Sequence, residues 1–146
     1  MADYSGRAGG VKRVLIDIAS QTVVSVTKIA STAGLEGNQP TALAFGLDGN
    51  LYVGFLKNGD IKRIVNPSVG AIQAVESVGT SPNGRKVHGI AFVGTSLYFA
   101  TEDGLGLISN ATNAVGQIPN SVRVGADGDG LDHVGVTSDE SRSFTI

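Results

Sequence analysis

The chain of 146 residues has no cysteine, no tryptophan, four prolines and only 5% aromatic residues. Without cysteine there are no disulfides to staple a small core and no thiolate-ligated metals or clusters. Without tryptophan, and with three tyrosines, the chain lacks the aromatic platforms on which a lectin-like sugar binder relies. Charge of one sign is missing as well. Eleven basic against 13 acidic residues leave a formal charge of −2, which gives no reason to expect nucleic acid or an anionic membrane as partner. No apolar run approaches the roughly 18 residues of a membrane span. The opening, MADYSGRAGG, is polar and glycine-rich, with no signal-peptide pattern.

What the chain does have is 21 glycines, many Val, Ser, Thr and Asn, and little Lys or Glu. That composition builds short strands and tight turns rather than helices. An apolar content of 41% is enough for the core of one domain. The same composition favours an extracellular or periplasmic setting.

A recurrence organises the sequence. Residues 41–55 read TALAFGLDGNLYVGF and residues 88–102 read HGIAFVGTSLYFATE. Leu43-Ala44-Phe45 aligns with Ile90-Ala91-Phe92 at an offset of 47, and Leu51-Tyr52-Val53 with Leu97-Tyr98-Phe99 at an offset of 46. Each trio lies in a short apolar run of the kind that forms a buried strand, and the connecting Asp48-Gly49-Asn50 and Val93-Gly94-Thr95 are turn sequences. A third strand is expected at Ile61 to Val65, after Asn58-Gly59-Asp60, and again at Gly106-Leu107-Ile108. A fourth is expected at Ala71 to Val78 and at Ser121 to Val124. The longest helical candidate, Val23 to Ala33, is β-branched and lacks a 3.6-residue apolar stripe.

The expected fold is therefore all-β: four-stranded antiparallel sheets of about 46 residues, the length of a β-propeller blade. A β-sandwich is the competing architecture. Val11-Lys12-Arg13-Val14 echoes Ile61-Lys62-Arg63-Ile64, so the chain is expected to enter at a third strand. His133-Val134-Gly135-Val136 and Ser143-Phe144-Thr145-Ile146 read as two further strands. The expected division is a flexible segment 1–10, a half blade 11–39, blades 40–86 and 87–131, and a half blade 132–146. About three blades make a partial ring, fewer than the four to eight of a closed one. Open edges invite association, so another propeller chain or a second copy is expected to complete the ring. The basic pairs Lys12-Arg13 and Lys62-Arg63 read as edge-strand charge that discourages unwanted pairing.

PTALAFGLDGNLYVGFLKNGDIKRI, residues 40–64, resembles a blade of the NHL, SMP-30 and streptogramin-lyase type of six-bladed propeller. VHGIAFVGTSLYFATEDGLGLI, residues 87–108, is similar to blades of the streptogramin lyases and of the PQQ-dependent sugar dehydrogenases. The resemblance implies the blade. Its motifs do not specify an activity.

In such a propeller the loops entering the inner strands and those following the second strands share one face, which places Lys57, Asn58, Asp60, Glu102 and Asp103 there. His88 opens one inner strand and His133 the next. Two imidazoles at a channel mouth can act as acid and base near neutral pH or bind a metal, or they are simply hydrogen-bonding residues at strand starts. Asp127, Asp129 and Asp132, spaced by glycines, resemble a Ca²⁺ loop without the full EF-hand spacing, or a solvated turn. Asn110-Ala111-Thr112 meets the N-glycosylation pattern. No nucleophile elbow, phosphate loop or HExxH motif is present. Two functions follow: a non-catalytic structural or binding module that closes its ring with another chain, or part of a lyase, lactonase-like hydrolase or PQQ-dependent sugar dehydrogenase with its site at the channel mouth.

Overall fold

A computed structural model describes residues 2–3, 10–30, 39–69, 73–113, 122–126, 137–138 and 144–145. Their regular structure is antiparallel sheet with two short 3-10 turns, Pro82–Gly84 and Ala111–Asn113. No helix among them is long and apolar enough to cross a membrane. Of the β-branched stretch considered as a helix, Val23 to Lys28 is strand, as its stiff side chains favour.

The first sheet holds β1 (Ala2–Asp3), β2 (Gly10–Asp17) and β3 (Thr22–Lys28) in that order. The second is a meander of β4 (Pro40–Phe45), β5 (Leu51–Phe55), β6 (Asp60–Ile64) and β7 (Val75–Thr80). The third repeats that order with β8 (Val87–Val93), β9 (Ser96–Thr101), β10 (Gly104–Ile108) and β11 (Val122–Ala126). A last pair joins β12 (Thr137–Ser138) to β13 (Phe144–Thr145). The two strongest apolar trios pair as hairpins in matching registers, Ala44 opposite Tyr52 and Ala91 opposite Tyr98. The fourth strands lie a little later than the sequence pattern places them, at Val75–Thr80 and Val122–Ala126.

The second and third sheets meet through β4 and β5 on one side and β8 on the other. Their shared core contains Tyr52, Ile61, Val78, Val87, Ile90, Leu97, Phe99 and Ile108. A second core, between the first and second sheets, packs Val11, Ile29 and Ala30 against Leu51, Val53, Phe55 and Ile64. Period-2 alternation sends neighbouring residues of β5 to opposite faces, so Tyr52 serves one core while Leu51 and Val53 serve the other. That is why every residue of β5 is buried.

Three features depart from the sequence reading. Among the described residues β1 pairs ahead of β2, so Val11 to Val14 lie in the second strand of their sheet and not at an entry through a third strand. Lys62 and Arg63 are not edge charges: β6 is paired on both sides, with Tyr52 and Glu76 facing Arg63 across the ladder. Arg63 is buried because its guanidinium finds partners there. The β2–β3 hairpin, in turn, is covered only near its base. From Leu15 through Val26 it is exposed on both faces.

Gly106 lies directly opposite Phe99, whose buried ring covers it so closely that a Cβ would collide with the ring atoms. Gly106→Ala removes some unfolded-state entropy, worth about 0.4–1 kcal/mol. Overpacking against a ring with nowhere to go costs more, about 1–3 kcal/mol. The variant is therefore expected to unfold at lower urea concentration with an unchanged slope, and an equal or higher midpoint would show that the ring can yield.

Candidate functional site

One end of the second and third sheets gathers most of the described side chains that the sequence pattern singles out. The turn after β5 and the segment leading into β8 are tied together there. Ser81 N–H donates to the Gly59 carbonyl at 2.8 Å, and the Ser81 hydroxyl donates to the Arg85 carbonyl. This lock leaves Lys57 and Asn58 exposed at the turn and Asp60 half-buried at the start of β6, opposite Thr80.

The neighbouring β9–β10 turn is fixed by Thr101. Its buried hydroxyl donates to the Gly104 carbonyl at 3.1 Å and accepts from Asp103 N–H at 3.2 Å. The turn thereby presents Glu102 and Asp103 side by side toward β8. His88 Nε2 stands 3.4 Å from Glu102 Oε2. Arg85 Nε reaches Asp103 Oδ2 at 2.5 Å, and its Nη1 lies 3.9 Å from Glu102 Oε1. Arg85, Asp103, Thr101 and Asn83 border a shallow cleft beside this cluster.

The arrangement sets an imidazole beside a carboxylate, the residue types of acid–base chemistry. The second acid is held by the arginine. His88, Glu102 and Asp103 thus come together, and Lys57, Asn58 and Asp60 border the same end. His133, Asp127, Asp129 and Asp132 lie outside the described residues. Among the described residues no three His, Asp or Glu side chains are placed to hold a metal ion. Arg85 was legible only as part of the loop 79–87, since nothing local marks its pairing with acids 17 and 18 positions later.

The opposite end holds a second polar group that the sequence pattern does not reveal. Tyr52 donates its phenol proton to Asp48 Oδ2 at 2.9 Å, with the Ala111 carbonyl at 3.3 Å as a further acceptor, and the Arg63 side chain also bonds to the phenol. Arg63 Nε meets Glu76 Oε2 at 2.6 Å, its Nη1 donates to the Thr112 carbonyl at 3.0 Å, and Asp48 Oδ2 lies 3.7 Å away. These contacts tie the second sheet to the turn that follows β10. Phe92 closes the ring face of Tyr52 in an edge-to-face contact with centroids 4.7 Å apart. The network is structural: the Tyr52 phenol and Arg63 Nε and Nη1 all donate to protein acceptors.

The chain matches no protein-family model and no curated protein sequence.

Burial pushes the Tyr52 phenol up to about 12. An unfolded tyrosine ionises near 10, so the folded state holds its proton where the unfolded state has lost it. This contribution is complete below about pH 10 and disappears as pH rises to about 12. Tyr52→Phe is expected to cost about 1 kcal/mol at neutral pH through the lost hydrogen bond. Between about pH 9 and 12 its stability should fall less than that of the wild type, by on the order of 2 kcal/mol. Urea titrations of both proteins across that range provide the check, and parallel pH profiles would show that the phenol is not held neutral.

Proposed function

We propose that the chain is a non-catalytic structural or binding module of β-propeller type that closes its ring by associating with another chain. One observation carries the reading, the succession of first strands: β1 lies against β4, β4 against β8 and β8 against β12. Sheets that are each a meander of consecutive strands, and that stack in chain order through their first strands, are what successive blades require. A Greek-key sandwich instead sends consecutive strands to different sheets. Among the described residues the β1–β3 sheet has three strands and the β12–β13 pair two, short of the four of a blade. Strands from another propeller chain, or from a second copy, would fill them and satisfy the open backbone edges.

The expected mass in solution, by size exclusion with light scattering, is that of an assembly of two or more chains. A monomer at tens of micromolar would overturn ring closure by association.

The juxtaposition of His88 and Glu102 favours a second reading, that of a propeller enzyme acting at the end of the sheets where they meet. In that case a lactone or sugar substrate is turned over by the wild type, and His88→Ala lowers the rate by about 10²–10⁴, the range of general acid–base catalysis. Turnover that His88→Ala leaves unchanged would remove this reading.

A further inference from the structure

We propose that residues 15–26 form an arm that docks in the apolar cleft beside β4 of a second copy of this chain, the two copies exchanging arms about a two-fold axis. This contact is distinct from ring closure and does not rest on it.

The arm is defined by where its cover ends. Val11 is fully buried, while Leu15, Ile16, Ile18, Val23, Val24 and Val26 are each more than half exposed. Leu15 pairs with Ser25 and Ile16 with Val23 across a bulge that leaves Val24 unpaired in the ladder, so Leu15 and Ile16, consecutive on the unbulged strand, expose apolar side chains on opposite faces. A hairpin that is apolar on both faces suits insertion into a cleft better than docking on a flat surface. It is also well formed without cover. The ladder runs from Lys12 opposite Lys28 to Asp17 opposite Thr22. Asp17 Oδ1 accepts from Ala19 N–H at 2.9 Å and Ser20 N–H at 3.4 Å, and the Ser20 and Thr22 hydroxyls meet at 2.7 Å. The ladder and the tip contacts hold the arm together as one hairpin, with a bulge opposite Leu15 and Ile16.

The socket is at that base. A cleft of about 470 Å³ lies between β2 and β4, with Leu43, Ala44, Phe45 and Leu51 among its apolar walls and Lys12 and Arg13 at its rim. Arg13 reaches from it to the Ser68 and Pro67 carbonyls, which places neighbouring Val69 beside the cleft. Phe45, Leu47 and Val69 are more than half exposed around it. All the large hydrophobic side chains recorded as exposed among the described residues therefore belong either to the arm or to the surroundings of the cleft.

Charge selects the occupant. Between Val14 and Thr27 the arm carries one charged side chain, Asp17, next to Ile18 at the tip, and the charged residues of the cleft are both cations. A plug with an acidic tip and a socket with a basic rim on one molecule are complementary between copies. Because each copy supplies both, the exchange closes on itself as a two-fold dimer. From Val14 to Ile18 the arm extends about 13 Å at strand rise, enough for its tip to enter a neighbouring cleft.

The absence of cysteine makes the contact directly testable. Ile18→Cys and Phe45→Cys proteins, mixed, equilibrated and then oxidised, are expected to form the mixed disulfide dimer in preference to either homodimer. Ile18 is 87% exposed, so Ile18→Asp should keep the circular dichroism and melting temperature of the monomer while abolishing the dimer. A wild-type monomer overturns this proposal along with ring closure. Mixed disulfides no more abundant than homodimers, or an assembly mass that Ile18→Asp leaves unchanged, overturn arm exchange alone and leave ring closure standing.

Discussion

The close approach of β5 to β8 is the constraint on which the rest of the structure depends. Gly54 makes it possible: a Cβ there would stand 2.5 Å from Val87 Cγ1 and 3.4 Å from Ile90 Cγ2. The Thr41 hydroxyl spans the same seam, donating to the Val87 carbonyl at 2.7 Å. With the backbones this near, Tyr52, Leu97, Phe99 and Ile108 are brought together in one core. Each such side chain contributes about 1.5–3 kcal/mol by burial. A wider seam would leave voids lined by these same groups, and the loss of contact across each void would fall on both sheets at once.

The seam also sets where polar chemistry can sit. Strands that cross the core leave their polar residues at the two ends, and the ends differ. At one, Asp48, Tyr52, Arg63 and Glu76 satisfy one another behind Phe92. Because Tyr52 and Arg63 are buried there, removing the acids that face them leaves their donors short of partners. At the other end, Arg85, Glu102 and Asp103 lie on turns fixed by Ser81 and Thr101 and remain open to solvent. Similar residue types therefore do opposite work. The first group holds two sheets in register, and the second sets the partly exposed Arg85 and Asp103 beside a His88 imidazole whose Nε2 is buried against Glu102 Oε2.

How much of this could be read in advance follows from the range of each interaction. The hairpins of β4 with β5 and β8 with β9 were legible because a strand pair separated by a short turn is specified by the alternation and turn chemistry of a dozen or so residues. The convergence of His88 with Glu102 and Asp103 was legible once those hairpins were assigned, since the meander brings strand starts and second-strand turns to one end. Arg63 was not. Its neighbours Ile61 and Ile64 gave it the look of a wet-faced strand residue, and its partners Asp48, Glu76 and Thr112 lie 15, 13 and 49 positions away. The exposure of the arm was not legible either. Val14, Ile16, Val24 and Val26 have the pattern of a core strand, and pattern records apolar character without recording whether the chain itself supplies the cover.

That last mismatch bears on what the molecule is built to do. Six large apolar side chains on an ordered hairpin cost solubility and contribute little to the fold of a lone chain. A hairpin of this kind is marginal without cover, so its value lies in a contact made outside its own sheet stack. The apolar arm and its cleft lie at the end of β2 and β5 where Leu51, Gly49 and Ser68 are found, whereas His88 and the Arg85 cluster occupy the turns at the far end of β5 and β9. A partner seated on the first end leaves the second uncovered. Association through the arm and recognition at the charged turns are thereby separable, and a change that abolishes one should spare the other.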